Sequence, residues 1–215
     1  MVAVCFRAVV ALAQVDGGST ARVMDRVVAA VEGQVITLSQ LEFEARVLLV
    51  NAGGVGAAFS PLDRDVLAKS LTAIVDQRLV TLEADKLDAY PLEAGELERA
   101  VSSFRGRFAS EARFREFLEA HEAEASDLRE VLRRSLRAQR VLEGKLRLKA
   151  QVSQIEARQY ASQRPELKGV PLDVVQKRLF LQRFQGLVKD ELAQQRRQVD
   201  VRLLGPFAPT LRPSE

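Results

Sequence analysis

The residues able to do chemistry are few, and their spacing does not suit it. Gly53-Gly54-Val55-Gly56 supplies the glycines of a phosphate-cradling loop. Such a loop needs a strand before it to aim the backbone and a Lys-Ser/Thr pair after it to hold phosphate and metal, and neither is present. A flexible connection between two helices is the expectation. His121, the single histidine, stands in His121-Glu122-Ala123-Glu124; a helical metal pair would need a second imidazole one turn away. The single cysteine, Cys5, excludes an intramolecular disulfide framework and a Cys-based zinc cluster. No serine sits in a Gly-x-Ser-x-Gly elbow. Carboxylates are plentiful, but no spacing marks a pair as buried and poised. No catalytic residue, metal ligand or cofactor loop is therefore expected, and the chain reads as non-catalytic.

Composition places it among globular proteins. Of 215 residues, 47% are hydrophobic and 28% charged, enough apolar side chain to build a core and too much for a disordered or fibrous chain. No apolar run approaches the ~18–20 residues of a membrane span. Net charge is only +3, but its distribution is uneven. Residues 62–98 carry four bases against nine acids, a balance of −5, whereas residues 99–149 carry eleven Arg and two Lys against eight acids, a balance of +5. The basic block could face nucleic acid or an anionic membrane surface. Its acids interleave with its arginines, however, which favours a solvated helix face laced by pairs three and four residues apart.

The elements that would have to position any site are mostly helical. Met1–Ala13 (MVAVCFRAVVALA), with Arg7 ahead of an apolar run and Ala11-Leu12-Ala13 at its end, reads as a short export signal; a disordered or helical tail is the other reading. Residues 1–21 are thus taken as leader and linker. Val27–Val31 and Gln34–Thr37 form a hairpin around Glu32-Gly33. Ser39 with Glu42 is a capping box that opens a helix to about Val50. Ser60-Pro61 restarts a long helix to about Asp85, and Pro91 breaks the chain. A helix carrying Leu97, Val101, Phe104 and Phe108 follows, then a shorter one holding Phe114, Phe117 and Leu118. Another, capped by Ser126, runs along Leu128, Val131, Leu132, Leu142 and Leu146. Ser153 with Glu156 is a second capping box. Leu172–Arg197 is a last long helix, and Val199–Leu204 alternates like a strand.

A strand must pair to satisfy its backbone groups. The economical arrangement lays the final strand beside the N-terminal hairpin. The expected fold is mainly α: a single multi-helix domain over 22–204, with a small β-hairpin near the N-terminus paired with a C-terminal strand, and a loose Pro-rich tail at 205–215.

The pattern resembles one family. Asp25–Ser39, DRVVAAVEGQVITLS, resembles the start of the mature SurA-type periplasmic chaperones, a strand–turn–strand leading into a capped helix. Leu71–Leu87 is similar to their long second helix. Asp127–Tyr160, with Val152-x-x-x-Glu156-x-x-x-Tyr160, resembles the stretch that closes their N-terminal domain. Phe184–Leu204 resembles the C-terminal helix and strand that return to complete it. The parvulin-type prolyl isomerase domain that usually intervenes has no counterpart, because Tyr160 is followed almost at once by the last helix. The resemblance covers about residues 25–204, as hydrophobic positions and caps rather than an invariant motif.

It implies a periplasmic holdase that binds unfolded or outer-membrane client polypeptides in an apolar groove, with no cofactor, no nucleic acid and no transmembrane segment; a homodimer is compatible with it. On that reading the groove would be lined by Phe59, Phe104, Phe108, Phe114, Phe117, Phe180 and Phe184, although a Phe stripe at helical spacing is more often core. Phe114 and Phe117, in the shortest and most charged helix, are the pair expected to be exposed. Arg113 and Arg115 would hold acidic client segments or stack on aromatic rings. The rival readings are a prolyl isomerase-family protein, a helical nucleic-acid-binding protein using the 99–149 block, and an envelope scaffold with one dedicated partner.

Overall fold

The structure, a computed structural model, describes residues 25–208 apart from Asp88. It is mainly helical, with a small three-stranded antiparallel sheet that joins an N-terminal hairpin to a C-terminal strand. The leader and linker expected at 1–21, and residues 209–215 of the expected loose tail, lie outside the described residues.

Strand β1 (Val27–Val31) turns through Glu32 and Gly33, both at positive φ (48° and 79°), into β2 (Gln34–Thr37). Two successive positive φ values are what a two-residue hairpin turn demands. A bulge between Val27 and Ala29 breaks the alternation, so Val28 and Ala29 are both buried, with Val31. Strand β3 (Val201–Leu203) pairs on the other edge of β1, with Ala29, Ala30 and Val31 opposite Leu203, Arg202 and Val201. Glu32 N–H donates to the Asp200 carbonyl at 3.1 Å and Leu204 N–H to that of Val28 at 2.8 Å, one bond at each end of the short ladder. The expected head-to-tail pairing is present, with β3 shorter than Val199–Leu204.

Seven helices follow the hairpin: α1 (Leu38–Asn51), α2 (Arg64–Lys86), α3 (Glu96–Arg105), α4 (Glu111–Ala120), α5 (Ala125–Leu146), α6 (Gln154–Ser162) and α7 (Leu172–Gln198). Three of the expected caps are replaced. Thr37, not Ser39, caps α1: its hydroxyl accepts from Gln40 N–H at 3.4 Å, and the Gln40 side chain accepts from Thr37 N–H at 3.2 Å. Thr37 ends β2 in extended backbone, the conformation an N-cap needs, while Ser39 bonds Asp25 and, with Thr37, draws that carboxyl below its ordinary range. Asp63, not Ser60, accepts from Val66 N–H at 2.8 Å at the start of α2, because Ser60 donates its hydroxyl to the Gly56 carbonyl. Glu124 with Asp127, not Ser126, boxes the start of α5. The Ser153–Glu156 box on α6 forms as expected.

One core joins the sheet to α1 and α2 through Val28, Ile36, Leu41, Leu71, Ile74 and Leu79, and Val199, Val201, Leu203 and Phe207 cover it from the C-terminal end. Gly205–Phe207, assigned to the loose tail, instead forms a 3₁₀ turn that seats Phe207 on this core, with Arg64 donating to the Pro206 carbonyl. A second core packs α1, α3, α4 and α5 around aromatic rings; smaller clusters join α2, α5 and α7, and α6 with α7.

Ending the chain at Gln198 removes four half-buried apolar side chains (Val199, Val201, Leu203, Phe207) and one whole edge of β1. At roughly half the ~1.5–3 kcal/mol of a fully buried residue each, the truncated chain is expected to lose about 3–6 kcal/mol. Urea denaturation followed by circular dichroism measures this, and an unchanged midpoint would mean that β3 does not hold the sheet.

Candidate functional site

The structure divides the nine candidate residues into three groups. Phe104, Phe108, Phe114 and Phe117 are core. Phe104 and Phe117 are fully buried, and Phe114, expected to be exposed, is only 6% so. Phe117 has ring centroids 5.3 Å from Phe108, 5.9 Å from Phe104 and 5.8 Å from Phe43, a residue absent from the candidate list, which stacks on it from α1. Phe114 lies 5.7 Å from Phe108. The expected exposed pair is therefore corrected. Charge on a short helix tells which face is wet, and Phe114 and Phe117, three residues apart, share the other face. α3 ends at Arg105, and Phe108 joins the cluster from the turn beyond it.

The second group is a small surface feature. Phe59 is 37% exposed, turns its ring edge-on to Phe117, and has the Arg113 guanidinium 4.1 Å above its face. Arg113 also pairs with Glu116 at 2.6 Å, so it is held in place over the ring. Arg115 is exposed on the same helix.

The third group lies on α7. Phe180 and Phe184 are half-buried and stacked, 6.0 Å apart and inclined by 18°. α7 runs for 27 residues yet fully buries only Val175. At about 100° per residue, its apolar positions from Val175 through Leu179, Leu187, Phe180, Phe184, Val188 and Leu181 to Val174 sweep about 260° of the circumference, far wider than the stripe one neighbour covers. Two surfaces take part of that arc. The Val175 side packs on α6 with Leu172, Leu179 and Phe180. The opposite strip carries Leu192, which packs against Val80, Ala84, Ala138 and Val141 of α2 and α5. Followed back toward the N-terminus, that strip bears Val188, Leu181 and Val174, and there the support ends: Leu181 is 47% and Val174 49% exposed. Phe184, Leu187 and Val188 belong to none of the four buried clusters.

Polar ties hold this overhanging half of the helix. Arg183 donates to the Gln151 carbonyl at 2.6 Å and to Glu156 at 3.0 Å, and Gln176 donates to the Val152 carbonyl at 2.5 Å. A crevice of about 470 Å³ opens beneath, lined by Phe180, Gln176, Lys177, Arg147 and Val152. Further along, Arg196 pairs with Asp76 of α2 at 2.6 Å and Lys145 of α5 with Glu191 at 3.5 Å. The bare apolar strip thus hangs from a rigid seat at each end. Val174 and Leu181, missed in the sequence, were signalled by their seven-residue spacing with Val188.

The basic block is mostly neutralised. Of its eleven arginines, Arg105, Arg113, Arg129, Arg133, Arg134, Arg137 and Arg140 each pair with a carboxylate. The deepest of these is shared: Glu44, 5% exposed, accepts from Arg134 at 2.8 Å and from Arg78 at 3.4 Å. Burial pushes the Arg78 guanidinium below its ordinary value, with Glu44 opposing that shift. Among the described residues, no group of three or more metal-ligating side chains converges, and no helix is long and apolar enough to cross a membrane.

No family model matches the chain, and no curated protein matches it either.

Glu156 reports on the α6–α7 tie. The Ser153 backbone N–H, then the Arg183 guanidinium and the Ser153 hydroxyl, hold its carboxyl down to about 2, from an ordinary 4.5. A depressed carboxyl stabilises the fold above its ordinary value and loses that effect as pH falls toward the folded value. The tie is expected to weaken between about pH 4.5 and 2. An NMR titration of Glu156 checks this. The midpoint should rise in Arg183→Gln; an ordinary midpoint in the parent chain would show that the contact does not persist in solution.

Proposed function

We propose that this chain is a holdase of the cell envelope that binds exposed apolar stretches of unfolded polypeptides, outer-membrane clients among them, on the underside of α7. The observation that carries the reading is the stacked Phe180–Phe184 pair, continuous with exposed Leu181 and Val174 on a helix that buries one residue in 27. An apolar patch left open on a charged surface marks a place where another apolar surface docks. A strip of this kind is suited to many sequences: it offers burial at roughly 25 cal/mol per Å², offset by the cost of ordering the client, and few directional contacts. The resemblance of residues 25–39, 71–87, 127–160 and 184–204 to SurA-type chaperones supports the class, and Met1–Ala13 supports the periplasmic location. The reading asks for no isomerase step and no cofactor. It withdraws Phe104, Phe108, Phe114 and Phe117 as client contacts and keeps Phe180 and Phe184, with Phe59 and Arg113 as a secondary patch.

The test is aggregation of a chemically unfolded β-barrel protein on dilution, followed by light scattering. A stoichiometric excess of this chain is expected to suppress it. Phe184→Ser with Leu181→Ser is expected to weaken suppression about tenfold while leaving the circular-dichroism melt nearly unchanged, because neither side chain belongs to a buried cluster. Unchanged aggregation with the parent chain would overturn the function, and undiminished suppression by the double variant would overturn the site.

A further inference from the structure

A second cavity, about 780 Å³, lies over the seam between α2 and α5 with Gln34 of β2 at one rim and the Pro91-Leu92 turn at the other. Among the described residues, five cationic side chains line it against two acids: Arg78, Lys86, Arg133, Arg134 and Arg137 against Asp85 and Glu130. The pairing within it is uneven. Arg137 is fully engaged, donating to Asp85 at 2.8 Å and to the Tyr90 and Ala84 carbonyls. Arg133 pairs with Glu130 at 2.5 Å. Arg78 and Arg134, by contrast, converge on the single buried carboxylate of Glu44, two positive charges on one negative. Arg134 gives Nη1 to Glu44, and its Nη2 stands 3.9 Å from Glu130, beyond hydrogen-bond distance. The Arg78 Nε is buried without a partner. Counting Glu44, the described residues of the cleft carry a surplus of two positive charges, with Arg78 and Arg134 shielded at its floor and Lys86 and Arg133 exposed at its rim.

We infer that this cleft binds an acidic stretch of polypeptide, in an extended form, carboxylates toward Arg134 and Lys86 and apolar side chains against Leu82 and Leu92. The inference rests on the holdase reading, and assigns to the client a second, charge-selective contact. Size and lining argue for a peptide. The cavity is large for a lone inorganic anion. Leu82, Pro91 and Leu92 give it an apolar wall, which suits a mixed acidic and apolar segment. Nucleic acid fits less well: among the described residues no aromatic ring lines the cleft to stack a base, and Asp85 and Glu130 interrupt any phosphate track.

The experiment uses the full chain and two fluorescent peptides of equal length and apolar content, one bearing Asp and Glu, the other Lys and Arg at the same positions. Fluorescence anisotropy at low salt is expected to show the acidic peptide bound about tenfold more tightly, with the preference collapsing by about 0.5 M salt. Lys86→Gln with Arg133→Gln, both at exposed positions, should reduce the preference to about threefold or less, and Lys86→Glu with Arg133→Glu should invert it. Equal binding of the two peptides, an unchanged preference in both double variants, or displacement of the acidic peptide by an equimolar single-stranded oligonucleotide would each overturn the inference. The same double variants should still suppress aggregation of a client poor in acidic residues. Loss of charge preference with suppression intact would sink the cleft alone; a parent chain that suppresses nothing would sink the holdase reading instead.

Discussion

The arrangement depends on the hydrogen bonding of one five-residue strand. β1 has an edge on each side, and a two-stranded ribbon would leave one of them open. β2 takes the first edge through a local turn, at small entropic cost. The second is taken by β3, which the chain brings back from more than 160 residues away. That closure is expensive in loop entropy, and the ladder itself is only three residues long. What offsets the cost is the apolar cover that comes with it: Val199, Val201, Leu203 and Phe207 settle on a core already assembled by β1, β2, α1 and α2. Because α7 leads directly into β3, fixing the strand fixes the C-terminal end of a 27-residue helix. The far end is then set by α6 and the Arg183 and Gln176 bonds, and the stretch between the two anchors is left carrying apolar side chains with little beneath them.

Charge organisation follows the same logic of long-range closure. The acidic stretch at 62–98 and the basic stretch at 99–149 answer each other: Arg137 meets Asp85, Arg140 meets Glu96 and Arg129 meets Glu98. Such pairs contribute little stability each at an exposed surface, but they consume the arginines that would otherwise form a phosphate-binding stripe. The exception is the Glu44 triad. There, one carboxylate from α1 is shared between Arg78 of α2 and Arg134 of α5, and both guanidiniums also line the α2–α5 cleft.

Legibility did not follow sequence distance alone: the pairing of the C-terminal strand with the hairpin follows from the need of a strand for a partner, whereas the caps of α1, α2 and α5 each fall on a neighbour of the expected residue. The hairpin bounds Val27–Val31 and Gln34–Thr37 are legible because β-branched runs flank a Glu-Gly turn, and the Ser153–Glu156 box because both partners lie within one helical turn. The cap of α1 was misplaced because Thr37 is fixed as an extended residue by its pairing with Val27, a tertiary fact. The burial of Phe114 and Phe117 depended on which face of α4 meets α1, something a helix's own charge pattern cannot state. The bare strip of α7 was half legible: the wide apolar arc is in the sequence, but only packing decides which part of it stays uncovered. The Glu44 triad spans 34 and 90 residues and left no local trace at all.

Hydrogen–deuterium exchange of the full chain, with and without an unfolded β-barrel client, tests the central claim most directly. The account predicts new protection concentrated on residues 174–188 of α7, with the aromatic core around Phe117 exchanging as before. Protection confined to other elements, or none at saturating client, would contradict it.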